Sequence, residues 1–182
     1  MKETIKLGFT LFLFTAIAAL ILAYSNGVTA PEIEKVEEQI KNQARMEILP
    51  SADAFEVVEG IDGAQEVYAG MAGGETVGYT LNMVSSGYGG DLEVAVGISN
   101  DGTVSGIKIL KHSETPGLGA NAKNPSFSDQ YKGKSVNTMI EVVKTPPTAD
   151  EEIQAITGAT ITSRAVTKAV NEAREIYTST LQ

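Results

Sequence analysis

Three short stretches combine glycine with hydroxyl or acidic side chains closely enough to hold a ligand. They are Ser85-Ser86-Gly87-Tyr88-Gly89-Gly90, His112-Ser113-Glu114-Thr115-Pro116-Gly117-Leu118-Gly119 and Thr157-Gly158-Ala159-Thr160-Ile161-Thr162-Ser163. The third points most directly to chemistry. It precedes a segment with helical apolar spacing, and a helix start presents unpaired N–H groups and the positive end of a dipole. Gly158 and Ala159 keep bulk away, so a phosphate could approach the backbone there. Thr160 and Thr162 add hydroxyls, either as hydrogen-bond donors or as points of covalent attachment. Taken singly, each stretch also has a plain use: glycine clusters make turns, Thr-Pro-Gly makes a bend, and Thr-Ser before a helix caps it.

Residue types exclude several other chemistries. The 182 residues contain no cysteine and a single histidine, His112. Disulfides, thiolate nucleophiles, cysteine-ligated zinc or iron–sulfur clusters and a multi-histidine metal site are therefore not expected, and no metal ligands are assigned. No lysine follows a glycine loop in the Walker arrangement, and the dinucleotide-binding fingerprint is absent. A hydrolase triad lacks its G-x-S-x-G elbow, so His112 reads as a surface or cleft residue at a strand end rather than a base. With 14 Lys+Arg against 23 Asp+Glu, the net charge of −9 argues against nucleic acid as a partner. Redox chemistry here would need an organic cofactor.

The elements that must position these stretches begin with an anchor. Leu7 to Tyr24 carries no charge. As a helix, those residues would reach about 27 Å, close to the ~30 Å hydrocarbon core of a bilayer. Lys2 and Lys6 precede the run, and Glu32, Glu34, Glu37 and Glu38 follow it. The positive-inside rule then places the N-terminus in the cytoplasm and the remainder outside, as a single-pass protein of the cell membrane. A cleaved signal peptide is the competing reading. It is disfavoured because Pro31 would follow a cut after Val28-Thr29-Ala30, and because the apolar run exceeds the usual signal core. Lys2 and Lys6 against Glu3 give residues 1–25 a charge of +1, which leaves −10 on residues 26–182.

Three regions are expected: an anchor over 1–25, an amphipathic linker helix over 26–50, and a domain over 51–182. The linker helix starts at Thr29 and Pro31, carries Ile33, Val36, Ile40 and Ala44 on one face, and ends near Arg45 and Pro50. It either extends the anchor outward or, as the simpler expectation, packs onto the domain. From Phe55 to Ser113, short β-type runs broken by glycine predict an antiparallel meander, with Asn100-Asp101-Gly102 as a tight hairpin turn. Pro125 to Tyr131 predicts a short helix and Met139 to Val143 another strand. A final helix carries Ala165, Val166, Ala169, Val170, Ala173, Ile176 and Tyr177 as one stripe, with Thr162 or Ser163 capping its start. The class is α+β, a twisted antiparallel sheet with helices packed on it behind a transmembrane helix.

The anchor, followed in order by GYGGDLEVAVG (Gly87–Gly97), HSETPGLGA (His112–Ala120) and ITGATITS (Ile156–Ser163), resembles the FMN-binding G subunit of Rnf electron-transport complexes. These motifs are shared with the related C subunit of the sodium-translocating NADH:quinone reductase, and the similarity spans essentially the whole chain. The resemblance implies FMN held covalently, by a phosphoester from the flavin phosphate to Thr160, with Thr157, Gly158, Ala159 and Thr162 around the attachment point. It also implies that Glu114, Thr115 and Leu118 lie against the flavin, that Gly117 and Gly119 permit its close approach, and that Lys144 contacts the flavin or its phosphate. Tyr88 would pack nearby. One position departs from the motif: Gln154 stands where the family usually has Asp, six residues before the modified threonine.

By the same resemblance, the chain relays electrons within an ion-translocating ferredoxin:NAD oxidoreductase. Its partners would be the other membrane subunits and a flavin transferase that loads the cofactor. Two alternatives remain open from the residues alone. One is a flavinylated electron carrier working alone outside the cytoplasm; the other is a non-redox anchored binding module whose glycine loops are only turns.

Overall fold

The computed structural model describes residues 2–182. The chain divides into two compact units, Met1–Ile40 and Lys41–Gln182. Helix α1 (Lys2–Ile48) runs without a break through Pro31. The expected helix start at Thr29 is therefore an interior position, and the Thr29 hydroxyl donates to the Ser25 carbonyl one turn back. A proline inside a helix removes one hydrogen bond at a cost of ~3 kcal/mol; the good helix formers lie after it, in Glu32 to Lys41, rather than in the Ser25-Asn26-Gly27-Val28-Thr29 run before it. In the first unit, the 18-residue apolar window has a mean hydropathy of 2.3, enough in length and composition for a single membrane crossing. Ile33, Val36 and Ile40 are exposed there, whereas Ala44, in the second unit, is buried.

The second unit is built on a five-stranded antiparallel meander. Strands β1 (Ala54–Val57), β2 (Glu66–Ala72), β3 (Glu75–Ser86), β4 (Asp91–Ser99) and β5 (Thr103–Lys111) lie in sequence order. Its hairpins follow from local chemistry. Gly73 and Gly74, both at positive φ, join β2 to β3 with Ala72 opposite Glu75. Between β4 and β5, only Gly102 has a positive φ (75°), with Ser99 opposite Thr103. The expected hairpin at Asn100-Asp101-Gly102 is therefore a three-residue turn ending in a glycine at positive φ. Asp101 closes it by accepting both the N–H and the hydroxyl of Thr103.

Helix α3 (Thr160–Ile176) covers one face of the sheet. Val166, Ala169, Val170 and Ala173 meet Leu81, Met83, Leu92, Val94, Val96 and Ile98 in a single core. The other face receives the end of α1 and Leu49. Here the strand glycines have a use that a sequence pattern of interruptions does not reveal. A Cβ on Gly70 would lie 2.5 Å from Leu49 Cδ2, and one on Gly97 would lie 2.7 Å from the Ile48 carbonyl oxygen. Side chains at these points would push Ile48 and Leu49 off the sheet, so glycine continues the strands here rather than breaking them. Arg45, almost fully buried, sits 3.5 Å from the centre of the Tyr68 ring and bridges to Glu66, which also accepts from Lys41 and Asn82. Burial pushes the Glu66 carboxyl up, but Lys41 and Arg45 outweigh it and hold the group below the usual carboxylate range.

After β5 the chain makes short helical turns, including α2 (Pro125–Ser128), which bury Phe127 and Tyr131. Strand β6 (Glu141–Val143) pairs in parallel with β7 (Glu152–Gln154). β7 is too short to leave a periodic signal, and it delivers the chain to the third glycine stretch.

Candidate functional site

The three glycine stretches come together at one end of the domain. Gly87 to Gly90 forms the β3–β4 turn, with the Gly87 N–H donating to the Gly90 carbonyl. Residues 112–119 leave β5, bend through Thr115-Pro116-Gly117-Leu118 with Gly117 at φ 79°, and re-enter a helical turn at Gly119. Residues 156–159 turn through Gly158 at φ 78° into the first residue of α3, Thr160. Ordinary turn chemistry therefore shapes all three loops. Beyond that, their junction encloses a cavity of about 400 Å³ lined by Tyr88, Glu114, Thr115, Leu118, Gly119, Gly158, Ala159, Thr160, Ile161 and Thr162.

The Glu114 carboxylate joins these loops. It is 6% exposed, and its Oε1 accepts the N–H groups of Tyr88 (2.8 Å) and Gly89 (3.2 Å). Its Oε2 accepts the hydroxyl of Thr162 at 2.8 Å. One side chain thus ties the first stretch, the second and the start of α3. The neighbouring glycines make room for it. A Cβ on Gly87 would lie 2.2 Å from Oε1, and one on Gly119 would lie 2.3 Å from Oε2 and 2.6 Å from Thr162 Oγ1. Gly119 therefore admits the carboxylate itself, while Gly117 lies outside the cavity lining and serves the bend.

The start of α3 differs from the capped helix read from the residues. Ala159 occupies the cap position and gives no side-chain cap. The Thr162 hydroxyl is committed to Glu114. The Ser163 hydroxyl donates to the Ala159 carbonyl and accepts from the Ile156 N–H, which locks the incoming loop instead of capping the helix. Among the described residues, the N–H groups of Thr160, Ile161 and Thr162 have no acceptor. The Thr160 hydroxyl, half-exposed in the cavity wall, has no partner either.

Among the described residues, no lysine or arginine lines the cavity, so its electrostatics combine a buried carboxylate with the helix N-terminus. Lys144 lies exposed at the end of β6, away from the lining, and Thr157 is exposed in the turn before Gly158. Tyr88 (71% exposed), Leu118 (44%) and Ile161 (55%) form an apolar rim. Ile161 escapes sequence reasoning because it stands four residues before Ala165 and reads as one more core position; here the cavity replaces the core beneath it. His112 lies just beyond β5, its Nδ1 accepting the Glu114 N–H. Burial and nearby Lys123 lower its pKa below the ordinary histidine value, which favours the neutral ring.

Comparison with known proteins accords with this geometry. Residues 87–175, which include Gly87 to Gly90 of the first stretch and all of the other two, match the model of the FMN-binding domain family. The chain is 45% identical to the G subunit of the Na(+)-translocating ferredoxin:NAD(+) oxidoreductase complex of Acetobacterium woodii, over 97% of this chain and 92% of that protein. It is 40% identical to the G subunit of the proton-translocating ferredoxin:NAD(+) oxidoreductase complex of Clostridium ljungdahlii, over 90% and 85% respectively. The fold is similar to the crystal structure of the C subunit of the Na(+)-translocating NADH-quinone reductase from Parabacteroides distasonis. The TM-score is 0.62 at 21% identity, covering 80% of this chain and 94% of that one. Identity of this extent over nearly full length establishes that the chain belongs to the G subunits of ion-translocating ferredoxin:NAD(+) oxidoreductase complexes, with an FMN-binding domain.

Proposed function

We propose that the domain carries FMN in the cavity between its glycine loops, joined through its phosphate to Thr160, and that the chain relays electrons within a membrane-bound, ion-translocating complex. The observation that carries the attachment site is the state of the motif's hydroxyls. Thr162 is 1% exposed and donates to Glu114, Ser163 is buried and doubly bonded, and Thr157 lies outside the cavity. Among the described hydroxyls of this third stretch, that of Thr160 alone is both in the cavity and without a partner, at the residue where α3 presents its unpaired N–H groups.

The residues present fit such a group. Gly158 and Ala159 leave the backbone open, and the first turn of α3 supplies the donors a phosphate needs. The charges favour an ester over free binding. A phosphate monoester carries about −1.5 to −2 at pH 7, whereas the described lining of the cavity has a carboxylate and no lysine or arginine. Ester formation with the Thr160 hydroxyl, with net loss of one water, removes one ionisable oxygen and leaves the phosphate nearer −1. The helix N-terminus can balance that smaller charge more readily.

When bound, FMN supplies the one- and two-electron chemistry that a chain without cysteine cannot supply through thiolates or cysteine-held clusters. The protein's part is to fix the cofactor: the loops are tied by Glu114, Ser163 locks the loop entering α3, and Tyr88, Leu118 and Ile161 shield the mouth from water. The distribution of Lys2 and Lys6 before the apolar segment and acids after it supports a cytoplasmic N-terminus and an extracytoplasmic domain. A covalent bond would keep the cofactor from being lost on that side of the membrane.

The test is co-expression with a flavin transferase followed by denaturing electrophoresis. Wild type, Thr157→Ala and Thr162→Val are expected to give a fluorescent band and Thr160→Ala none. Fluorescence retained by Thr160→Ala would overturn the attachment site, and a colourless wild type would favour a non-redox module.

A further inference from the structure

We propose that Glu114 does more than tie the loops: as a buried carboxylate in the cavity wall, it is a positioning residue whose charge holds the reduction potential of the bound flavin low. The proposal rests on the reading of the cavity as the flavin site, but its observations are separate. Glu114 is only 6% exposed, it lines the cavity, and among the described residues no lysine or arginine shares that lining. Its hydrogen-bond partners are neutral donors, two backbone N–H groups and one hydroxyl, which fix the carboxylate without cancelling its charge. Nearby His112 favours its neutral form.

A fixed negative charge at low local dielectric acts on any group whose charge changes beside it. Full reduction of a flavin takes up two electrons and one or two protons, so negative charge grows wherever protons do not fully compensate. A neighbouring carboxylate opposes that growth, which makes the bound cofactor harder to reduce and a stronger donor once reduced. The missing side chains of Gly87 and Gly119 leave the room in which the carboxylate lies in the cavity wall.

The charge and the tie can be separated by substitution. Glu114→Gln keeps the shape, and its amide can still accept from Tyr88 and Gly89 while donating to Thr162, so it removes mainly the charge. Glu114→Asp keeps the charge on a shorter arm and loses the tie. Thr162→Val removes one bond of the tie and leaves the charge. Redox titration of the visible flavin spectrum, on full-length flavinylated protein in detergent, reads the midpoint potential directly. Glu114→Gln is expected to move the midpoint positive, with Glu114→Asp and Thr162→Val staying near wild type. An unchanged or more negative midpoint in Glu114→Gln, or an equal shift in Glu114→Asp, would overturn the proposal. Should Glu114→Gln carry too little flavin, Thr115→Lys at an exposed position of the lining places a cation beside the carboxylate. A positive shift is expected there too, and no shift would refute the proposal. A wild-type protein without flavin would instead refute the function on which the proposal rests.

Discussion

Gly119→Ala tests whether the site is organised around the Glu114 carboxylate. The new Cβ would lie 2.3 Å from Glu114 Oε2, 2.6 Å from Thr162 Oγ1 and 2.9 Å from Glu114 Cβ, so the carboxylate must move. Overpacking a filled site costs ~1–3 kcal/mol, and losing one hydrogen bond to a charged group costs ~1.5–3 kcal/mol. Together they put the expected destabilisation at ~3–5 kcal/mol. Gly117→Ala is the control: nothing lies within 4 Å of its Cβ, and the cost is that of an L-residue at φ 79°, ~1–2 kcal/mol. Urea unfolding of the full chain in detergent measures both. The decisive step is a double-mutant cycle with Glu114→Ala. Without the carboxylate its clash and its bond to Thr162 are gone, while the close approaches to Thr162 Oγ1 and the residue-114 Cβ remain, so Gly119→Ala should then cost less than in wild type by ~1.5–3 kcal/mol, a clear non-additivity. An equal cost of Gly119→Ala in both backgrounds would refute the reasoning.

Other substitutions probe the supports of the site. The Asn171 side chain donates to the Ile140 carbonyl and accepts the Ile140 N–H, both buried, so Asn171→Leu should cost ~2–4 kcal/mol in the same unfolding assay by orphaning the pair. Tyr131→Phe removes a buried 2.7 Å bond to Thr167, whose hydroxyl still reaches the Ser163 carbonyl, and should cost only about 1 kcal/mol. His112 titrates lower in the folded than in the unfolded chain, so its contribution is intact above the unfolded pKa near 6.5 and is lost as pH falls below that value. Unfolding free energies from pH 7.5 to 5 should decline less steeply in His112→Gln than in wild type. For orientation, the absence of native cysteine allows Ser179→Cys to be labelled without background. A membrane-impermeant maleimide should modify it on intact cells, and labelling only after lysis would reverse the assignment.

The fold was largely readable because its elements carry strong local signals. The stripe from Ala165 to Tyr177 and the Gly102 turn report their own geometry, and the five β-type runs appear in the order in which they pair. Tertiary causes left no such trace. Gly70 and Gly97 look like interruptions until Ile48 and Leu49 are seen lying on the sheet. Pro31 with Thr29 imitates a helix start inside a longer helix. At the site, the three stretches were visible as composition, but the role of Glu114 was not. A residue expected against a ligand proves to hold three loops together through bonds 25, 26 and 48 residues apart in the chain. Spacing along a chain does not encode contacts of that range. Lys144, by contrast, lies exposed just past β6 and outside the cavity lining.

The central claim is that FMN is esterified to Thr160, and tryptic mass spectrometry of the co-expressed protein tests it most directly. Cleavage after Lys144 and Arg164 releases residues 145–164, a peptide that holds Thr157, Thr160, Thr162 and Ser163 together. The account predicts an added mass of FMN less one water on this peptide, with fragment ions assigning it to Thr160 alone. An unmodified peptide from fully loaded protein, or fragments that place the mass on Thr157, Thr162 or Ser163, would contradict it.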